Sequence, residues 1–218
     1  MSLSIKIADA TFTKFIAQTP PYLELAKLFL LLGGSQAASV KNYAGTKTAA
    51  SVVGTPTYSA GFASLSSQAN GFASADAVSG SPFTHIMVTS LLSSNSGYCG
   101  NWTGGANTAS LLNKNGANLN LAIDGNLRVN TPMSGAGFHF TAGSHDGSTA
   151  KVYTGNAGVL ASASAAYSGG ATTAKFRVGA STFTTGTFDA AAVMTFGSVL
   201  SEAQITEIYA YLTTLLAT

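Results

Sequence analysis

The segment of residues 93–108 holds the residue types that most strongly indicate ligand binding in this sequence. It contains the only tryptophan of the chain, Trp102, together with Tyr98 and the amides Asn95 and Asn101. Aromatic faces stack on the apolar C–H faces of sugars, and amides supply directional hydrogen bonds. The segment therefore predicts a carbohydrate-binding loop in which Trp102 or Tyr98 stacks on the sugar and Asn95 and Asn101 hydrogen-bond to it.

A purely structural interpretation of the same segment stays open. Residues 98–102 also have the length and composition of a core strand that is flanked by glycine-containing loops. In that arrangement the aromatic side chains would fill the interior and would not reach a ligand.

The carboxylates do not form the pattern that glycan-cleaving enzymes need. A retaining glycosidase holds two carboxyl groups about 5 Å apart. The glutamates are Glu24, Glu202 and Glu207, two of them near the C-terminus, and the five aspartates are isolated from one another in sequence. No Gly-x-Ser-x-Gly motif connects a strand to a helix. We expect no catalytic residues, so the protein is predicted not to be an enzyme.

Metal-ligating residues are few and scattered. The three histidines are His85, His139 and His145, and Cys99 is the single cysteine. A zinc site needs three or four converging ligands, and calcium needs a dense set of oxygen ligands. Asp124 and Asp146 each precede a glycine, as in tight turns. We expect no cofactor, calcium having no ligand cluster to support it, and we expect Cys99 to be a small buried apolar residue.

Charge and length exclude several classes of protein. Only 8% of the 218 residues are charged and the net charge is +2, whereas ordinary soluble domains have about 25% charged residues. No basic face for nucleic acid is indicated. The most apolar run, residues 28–32, is far shorter than the roughly 20 residues that span a bilayer. We expect a single domain of ordinary size, without a signal peptide, made in a cytoplasm.

The hydrophobic pattern predicts an all-β domain with one helix at its end. Residues 138–142, 150–154 and 159–163 form three strand-like segments separated by Asp-Gly and Asn/Gly turns. Ser201 and Gln204 form a capping box before an apolar face of helical spacing. The run at 28–32 fits either a helix or a buried strand. We predict an N-terminal arm at 1–21, ending at two prolines, and one sandwich domain at 22–218.

The ordered set of residues 139–158, 176–179 and 193–205 resembles laminin-G-like, concanavalin A-like jelly-roll domains. In these domains a strand leads into an Asp-Gly turn, and a late core strand ends in Leu-Ser before a short helix. Residues 30–58 resemble the corresponding region of phage and prophage virion proteins that carry this domain. The resemblance implies a two-sheet antiparallel jelly-roll sandwich. It also implies a carbohydrate-binding or structural role in a tail fibre, a head fibre or a head decoration protein.

These observations lead to one functional expectation and two alternatives. The expectation is a non-enzymatic phage or prophage virion protein whose lectin-like domain binds host or environmental carbohydrate. The first alternative is a structural subunit without a small ligand that contacts other virion proteins and forms a homo-oligomer, as the low charge indicates. The second alternative is a glycan-active enzyme, which would require two carboxylates in one cleft.

Overall fold

The computed structural model describes residues 19–44, 48–66, 69–78, 80–90, 96–101, 110–156, 158–169, 173–179 and 186–216. Within these ranges a 3-10 turn at Leu23–Leu25 and two helices, α1 (Gln36–Ser39) and α2 (Glu202–Leu216), accompany fifteen strands. The strands are β1 (Ala26–Leu31), β2 (Ser51–Val53), β3 (Thr57–Ser59), β4 (Phe62–Ser66), β5 (Gly71–Val78), β6 (Phe83–Ser90), β7 (Ser96–Asn101), β8 (Ser110–Asn115), β9 (Asn118–Ile123), β10 (Asn126–Pro132), β11 (Phe138–His145), β12 (Thr149–Asn156), β13 (Val159–Ala166), β14 (Ala174–Gly179) and β15 (Thr187–Phe196).

The described strands form two antiparallel sheets. The large sheet has the order β13-β12-β11-β6-β15-β4-β3, and β1 also pairs with β15. The small sheet has the order β10-β9-β8-β7-β14-β5-β2. Strand β15 is long enough to pair with β4 along its first half and with β1 along its second half. The predicted two-sheet antiparallel sandwich with a C-terminal helix is confirmed.

Alternation of side chains along the strands builds the core between the sheets. Leu112 and Leu121 of the small sheet face the large sheet at Gly143 of β11, where an added Cβ would lie 2.7 Å from the Leu112 Cδ2 atom. The glycine therefore lets the two sheets approach closely at this point. Burial of each leucine side chain contributes roughly 1.5–3 kcal/mol.

Helix α2 covers part of the outer face of the large sheet. Ile205, Ile208 and Leu212 are buried against that face, and the rings of Tyr209 and Phe140 lie 5.2 Å apart. The predicted capping box begins the helix: the Ser201 amide donates to Gln204 Oε1 at 2.8 Å, and the Gln204 amide donates to Ser201 Oγ at 3.3 Å. The large sheet is therefore buried on both faces beneath the helix, which explains its unbroken apolar runs.

The sequence pattern at residues 28–32 fits a helix or a buried strand, and the structure shows that residues 28–31 belong to strand β1. In β1, Leu28 and Leu30 point into the core between the sheets, while Phe29 points into the layer beneath α2. A strand that is buried on both faces has no polar alternation, so periodicity alone could not identify it. Residues 1–18 lie outside the described residues, and the division into an arm at 1–21 and a domain at 22–218 stays a prediction.

Candidate functional site

Two of the four candidate binding residues lie inside the sandwich. Tyr98 is 1% exposed, and its ring meets the ring of Phe188 edge-on at 5.2 Å. Asn101 is 0% exposed, and its Nδ2 atom donates to the Val78 carbonyl at 3.0 Å. Neither side chain presents a surface to a ligand, which corrects their predicted binding role. The structural interpretation applies to these two residues: Tyr98 belongs to the core between the sheets, and Asn101 pairs with the core residue Phe176 of β14.

The other two candidates, Asn95 and Trp102, lie outside the described residues. They immediately precede and follow β7, a strand of six residues that is about 17 Å long at 3.3 Å per residue. The described residues therefore contain only two of the four candidates, Tyr98 and Asn101. A role for Asn95 or Trp102 in binding stays a prediction.

A row of polar side chains crosses the outer face of the large sheet at the end that α2 leaves open. Phe188 points into the core between the sheets, so the next residue, Asp189, points outward. Asp189 pairs with Ser64, and Ser64 pairs with Thr57. On the other side of Asp189 lies Ser90 of β6. We call Ser90, Asp189, Ser64 and Thr57 the outer row.

Hydrogen bonds hold the carboxylate of the outer row in place. Ser64 Oγ donates to Asp189 Oδ1 at 2.6 Å, and the Asp189 amide donates to Ser90 Oγ at 2.8 Å. Thr89 Oγ1 donates to the Asp189 carbonyl at 2.9 Å. Within the described ranges, no donor contacts the second carboxylate oxygen, Oδ2. Asp189 is half-buried, so this oxygen can accept a hydrogen bond from a ligand. The bond from Ser64 keeps the carboxylate in a fixed position while it does so.

The outer row forms one side of a cleft with a volume of about 470 Å³. That volume is within the range of small-molecule sites. The cleft is lined by Thr55, Thr57, Ser64, Leu65, Ser66, Asn70, Ser90, Thr187, Phe188 and Asp189. Asp189 is the only charged member of this set, and six members carry hydroxyl groups. The lining therefore offers many neutral donors and acceptors around a single negative charge.

The turn beside the cleft is fixed by its own hydrogen bonds. Ser66 Oγ accepts from the Asn70 amide at 2.9 Å, and Asn70 Oδ1 accepts from the Thr55 amide at 2.9 Å. Gly54 has a φ of 67°, and a Cβ at that position would lie 2.2 Å from the Ala69 carbonyl oxygen. Only glycine fits this close approach, and the wall of the cleft is consequently preorganised.

An aromatic pair lies at one end of the outer row. Phe138 of β11 pairs with Ser90, and its ring lies 5.9 Å from the ring of Phe62. Both rings are half-buried at the rim of the layer beneath α2. From Phe138 to Thr57 the row crosses five neighbouring strands, which is about 19 Å at 4.8 Å per strand. Such a strip accommodates more than one sugar ring.

The histidines and the cysteine occupy structural positions. His85 is fully buried and burial lowers its pKa to about 3, while burial also lowers the pKa of His139. His145 Nε2 lies 3.0 Å from the Tyr167 carbonyl oxygen. Burial raises the pKa of the Cys99 thiol, as expected for a small buried apolar residue. In the part of the chain that the structure describes, no three His, Cys, Asp or Glu residues converge as metal ligands.

The predicted turn aspartates are confirmed as turn residues. Asp146 Oδ1 accepts from the amides of Ser148 and Thr149, both at 2.7 Å, and these bonds lower the pKa of Asp146. Asp124 has a φ of 54°, as tight turns require. Among the described helices, none has the length and apolar character that crossing a bilayer would require.

Reasoning from the sequence missed the outer row. Its members come from four strands, and the residue numbers of Ser64 and Asp189 differ by 125. The only local signal was the alternation of polar and apolar residues in β4, which placed Ser64 and Ser66 on one face. Strand pairing, which the sequence alone does not specify, brought that face beside Asp189.

Comparison with known proteins shows the fold. No family description and no curated protein matches this sequence. The receptor-binding domain of botulinum neurotoxin type G is similar in structure, with a TM-score of 0.63 and 14% identity over 87% of this chain and 51% of that one. A structure of botulinum neurotoxin type C, whose cell entry is described as dependent on interaction with two ganglioside molecules, has a TM-score of 0.60 and 9% identity over 87% of this chain and 52% of that one.

A third similar structure is the binding domain of botulinum neurotoxin DC in complex with rat synaptotagmin II. Its TM-score is 0.61 and its identity is 8%, over 87% of this chain and 51% of that one. This chain spans about half the length of these neighbours. At such low identity the likeness concerns the fold alone, and this chain shares the β-sandwich architecture of those receptor-binding domains.

Proposed function

We propose that this chain is a non-enzymatic, lectin-like domain that binds carbohydrate through the outer row. The observation that carries the proposal is the position of Asp189. Its Oδ1 atom is held by Ser64 and its amide by Ser90, and the residue lines a cleft of about 470 Å³. A fixed acceptor among hydroxyl groups matches the alternating donors and acceptors of a sugar.

The charge of the cleft favours a neutral saccharide. Asp189 is the only charged residue in the lining, so it repels the carboxylate of an acidic sugar or a phosphate group. The half-buried ring of Phe138 offers an apolar face at the end of the row, where the C–H face of a sugar ring can pack. The proposed ligand is therefore a neutral oligosaccharide.

The carboxylate content of the cleft supports binding rather than hydrolysis. A glycosidase needs an acid and a nucleophile or base, and Asp189 is the single carboxylate among the residues that line the cleft. The structural neighbours are receptor-binding domains, and one of them is described as interacting with gangliosides, which are glycolipids. These observations support a binding domain that takes carbohydrate.

The proposal further places the domain in a phage or prophage virion, as part of a tail fibre, a head fibre or a head decoration. This placement rests on the resemblance of residues 30–58 to phage and prophage virion proteins that carry the jelly-roll domain, which residues 139–158, 176–179 and 193–205 themselves resemble. Mass spectrometry of purified particles, released after prophage induction in the source strain, tests it directly. Absence of the chain from intact particles, with abundant chain in the lysate, would contradict it.

The experiment that tests carbohydrate binding is a glycan array with the purified protein, followed by calorimetric titration with the best neutral oligosaccharide. Asp189→Asn should weaken binding at least tenfold because the charged acceptor is lost. Asp146→Asn removes the same charge from the turn between β11 and β12 and is the matched control. It should bind as the unchanged protein does.

Two further outcomes decide between the alternatives. Trp102→Ala on the same array tests the loop that the sequence indicated. If Trp102→Ala abolishes binding and Asp189→Asn does not, the site lies in that loop and the outer row is excluded. If the folded protein binds no glycan on the array, carbohydrate binding is rejected and the alternative of a structural subunit without a small ligand is favoured.

A further inference from the structure

Within the described residues the two sheets have five free edges, and four of them are protected against pairing with a strand of another molecule. Strands β2 and β3 have only three residues each. Strand β10 contains Arg128, ends at Pro132 and has a register shift between Leu127 and Val129. The edge of β1 is covered, because Asn42 Oδ1 accepts from the Phe29 amide and the Tyr43 amide donates to the Phe29 carbonyl. These are the devices by which proteins prevent unwanted strand pairing.

The fifth edge, β13, has none of these protections. It pairs with β12 along all eight residues without a register shift. It contains no charged residue and no proline, and its sequence is Val-Leu-Ala-Ser-Ala-Ser-Ala-Ala. Five of its residues are exposed and three are half-buried, with Val159 at 70% exposure. Every second residue of such an edge directs its N–H and C=O away from the sheet.

The start of this edge strand is anchored to the rest of the domain. The Gly158 amide donates to Tyr209 Oη at 3.0 Å, and the same hydroxyl donates to the Val159 carbonyl at 3.3 Å. Tyr209 is a residue of α2 and is itself buried between the helix and the large sheet. The strand is therefore held in an extended shape before any partner arrives, which lowers the entropic cost of pairing.

We propose that β13 pairs with β13 of a second copy of this chain, antiparallel and around a two-fold axis. Such an axis is perpendicular to the sheet, so each face of the strand continues into the same face of the partner strand. Ala161, Ala163 and Ala165 then oppose alanines, and Ser162 and Ser164 oppose serines, whose hydroxyls can hydrogen-bond across the strands. The two large sheets become one continuous sheet.

The composition of β13 favours a second copy of this chain as the partner strand. A partner protein recognised by charge would need a charged counterpart on this edge, and β13 has no charged residue. The small side chains permit close approach on both faces and match their own pattern under two-fold symmetry. The proposal concerns assembly and does not depend on whether the outer row binds carbohydrate.

The test is analytical ultracentrifugation of the full chain from about 1 to about 100 µM. The unchanged protein should dimerise within this range. In this register position 162 opposes position 164 of the partner strand, and the two copies of position 162 are diagonal neighbours across the axis. Ser162→Lys and Ser162→Glu should each weaken dimerisation at least tenfold, because two like charges then lie within reach of each other. An equimolar mixture of the two variants should dimerise again, because opposite charges now pair. Asn130→Lys on the protected edge β10 is the matched control and should leave the dimer unchanged.

Amide hydrogen exchange provides the second measurement. In the unchanged protein, amides of 159–166 should exchange more slowly at high concentration than at low concentration. A protein that stays monomeric over the whole range would overturn the proposal. So would a trimer, a dimer whose β13 amides exchange at the same rate at both concentrations, or an equal effect of Ser162→Lys and Asn130→Lys.

Discussion

Two polar clusters lie on opposite faces of the large sheet and are built from the same kinds of residue. On the inner face, His85 lies 2.7 Å from Thr195 Oγ1 and 3.0 Å from Ser110 Oγ. On the outer face, Asp189 is held by two serine hydroxyls. In each cluster two hydroxyl groups from other strands bond one residue: both bond the ring of His85, whereas Ser64 bonds the carboxylate of Asp189 and Ser90 bonds its backbone amide.

Burial gives the two clusters different roles. The ring of His85 is stacked on that of Phe83 at 4.4 Å and lies 4.7 Å from that of Phe176. Both of its nitrogens have partners, and burial keeps the ring neutral, so it connects the two sheets and is closed to ligands. Asp189 is half-buried and lines a cleft. The same chemistry stabilises the fold where it is sealed, and where it is open it is available for the recognition that we propose.

The largest expected effect is on the free energy of unfolding and concerns the inner cluster, around His85. His85→Leu should lower the free energy of unfolding by about 3 kcal/mol, because the Thr195 and Ser110 hydroxyls remain buried without a partner. Urea denaturation measures this loss. The folded fraction should bind carbohydrate as the unchanged protein does. A loss below about 1 kcal/mol would show that His85 does not connect the sheets as described.

The next effect is a dependence of stability on pH that arises from His85 in the inner cluster. The pKa of His85 is about 3 in the folded protein, against an ordinary value of 6.5. Above pH 6.5 the imidazole is neutral in both states and the full stability is present. Below pH 6.5 the unfolded chain takes up a proton that the folded protein excludes, so stability falls progressively until about pH 3. The linkage predicts a loss of about 2 kcal/mol between pH 7 and pH 5.

Denaturation of His85→Gln and of the unchanged protein at several pH values measures how strongly the free energy of unfolding depends on pH. The variant has no titratable group at this position, so its stability should depend less on pH over the same range. His139→Gln is the control, since burial lowers the pKa of His139 in the same direction. If the slopes of His85→Gln and the unchanged protein agree, His85 is accessible to protons in the folded state.

The smallest effect compares single hydroxyl groups. Ser110→Ala should cost about 1 kcal/mol of unfolding free energy, because a buried imidazole nitrogen loses its partner. Ser64→Ala should cost roughly half of that, because water can replace the hydroxyl beside half-exposed Asp189. Thermal unfolding measures both costs. In calorimetric titration only Ser64→Ala should weaken carbohydrate binding, and equal effects on binding would remove the distinction between the clusters.

Much of the fold could be predicted because it depends on local pattern. The strands at 138–142, 150–154 and 159–163 were identified as a meander, and β11, β12 and β13 contain them. The capping box at Ser201 begins the terminal helix. Alternation, turn residues and caps act over a few residues, so they can be identified without tertiary structure.

The candidate site was predicted less well because it depends on which strands meet. Tyr98 and Asn101 had suitable chemistry, yet β7 places both inside the sandwich. A shift of one residue in strand register exchanges buried and exposed side chains, and nothing local to 98–102 specified that register. A prominent aromatic residue in a sequence with few charged residues is therefore an ambiguous sign of binding.

The amino-acid sequence by itself determined the class of this protein: a strand-rich sandwich with few charged residues, Asp-Gly turns and one capped helix. Only the tertiary structure decided which hydroxyls surround His85, which surround Asp189 and which strand edge stays open. The physical reason is that strand pairing joins residues as far apart as 64 and 189. Burial then decides whether a polar group stabilises the core or faces a ligand.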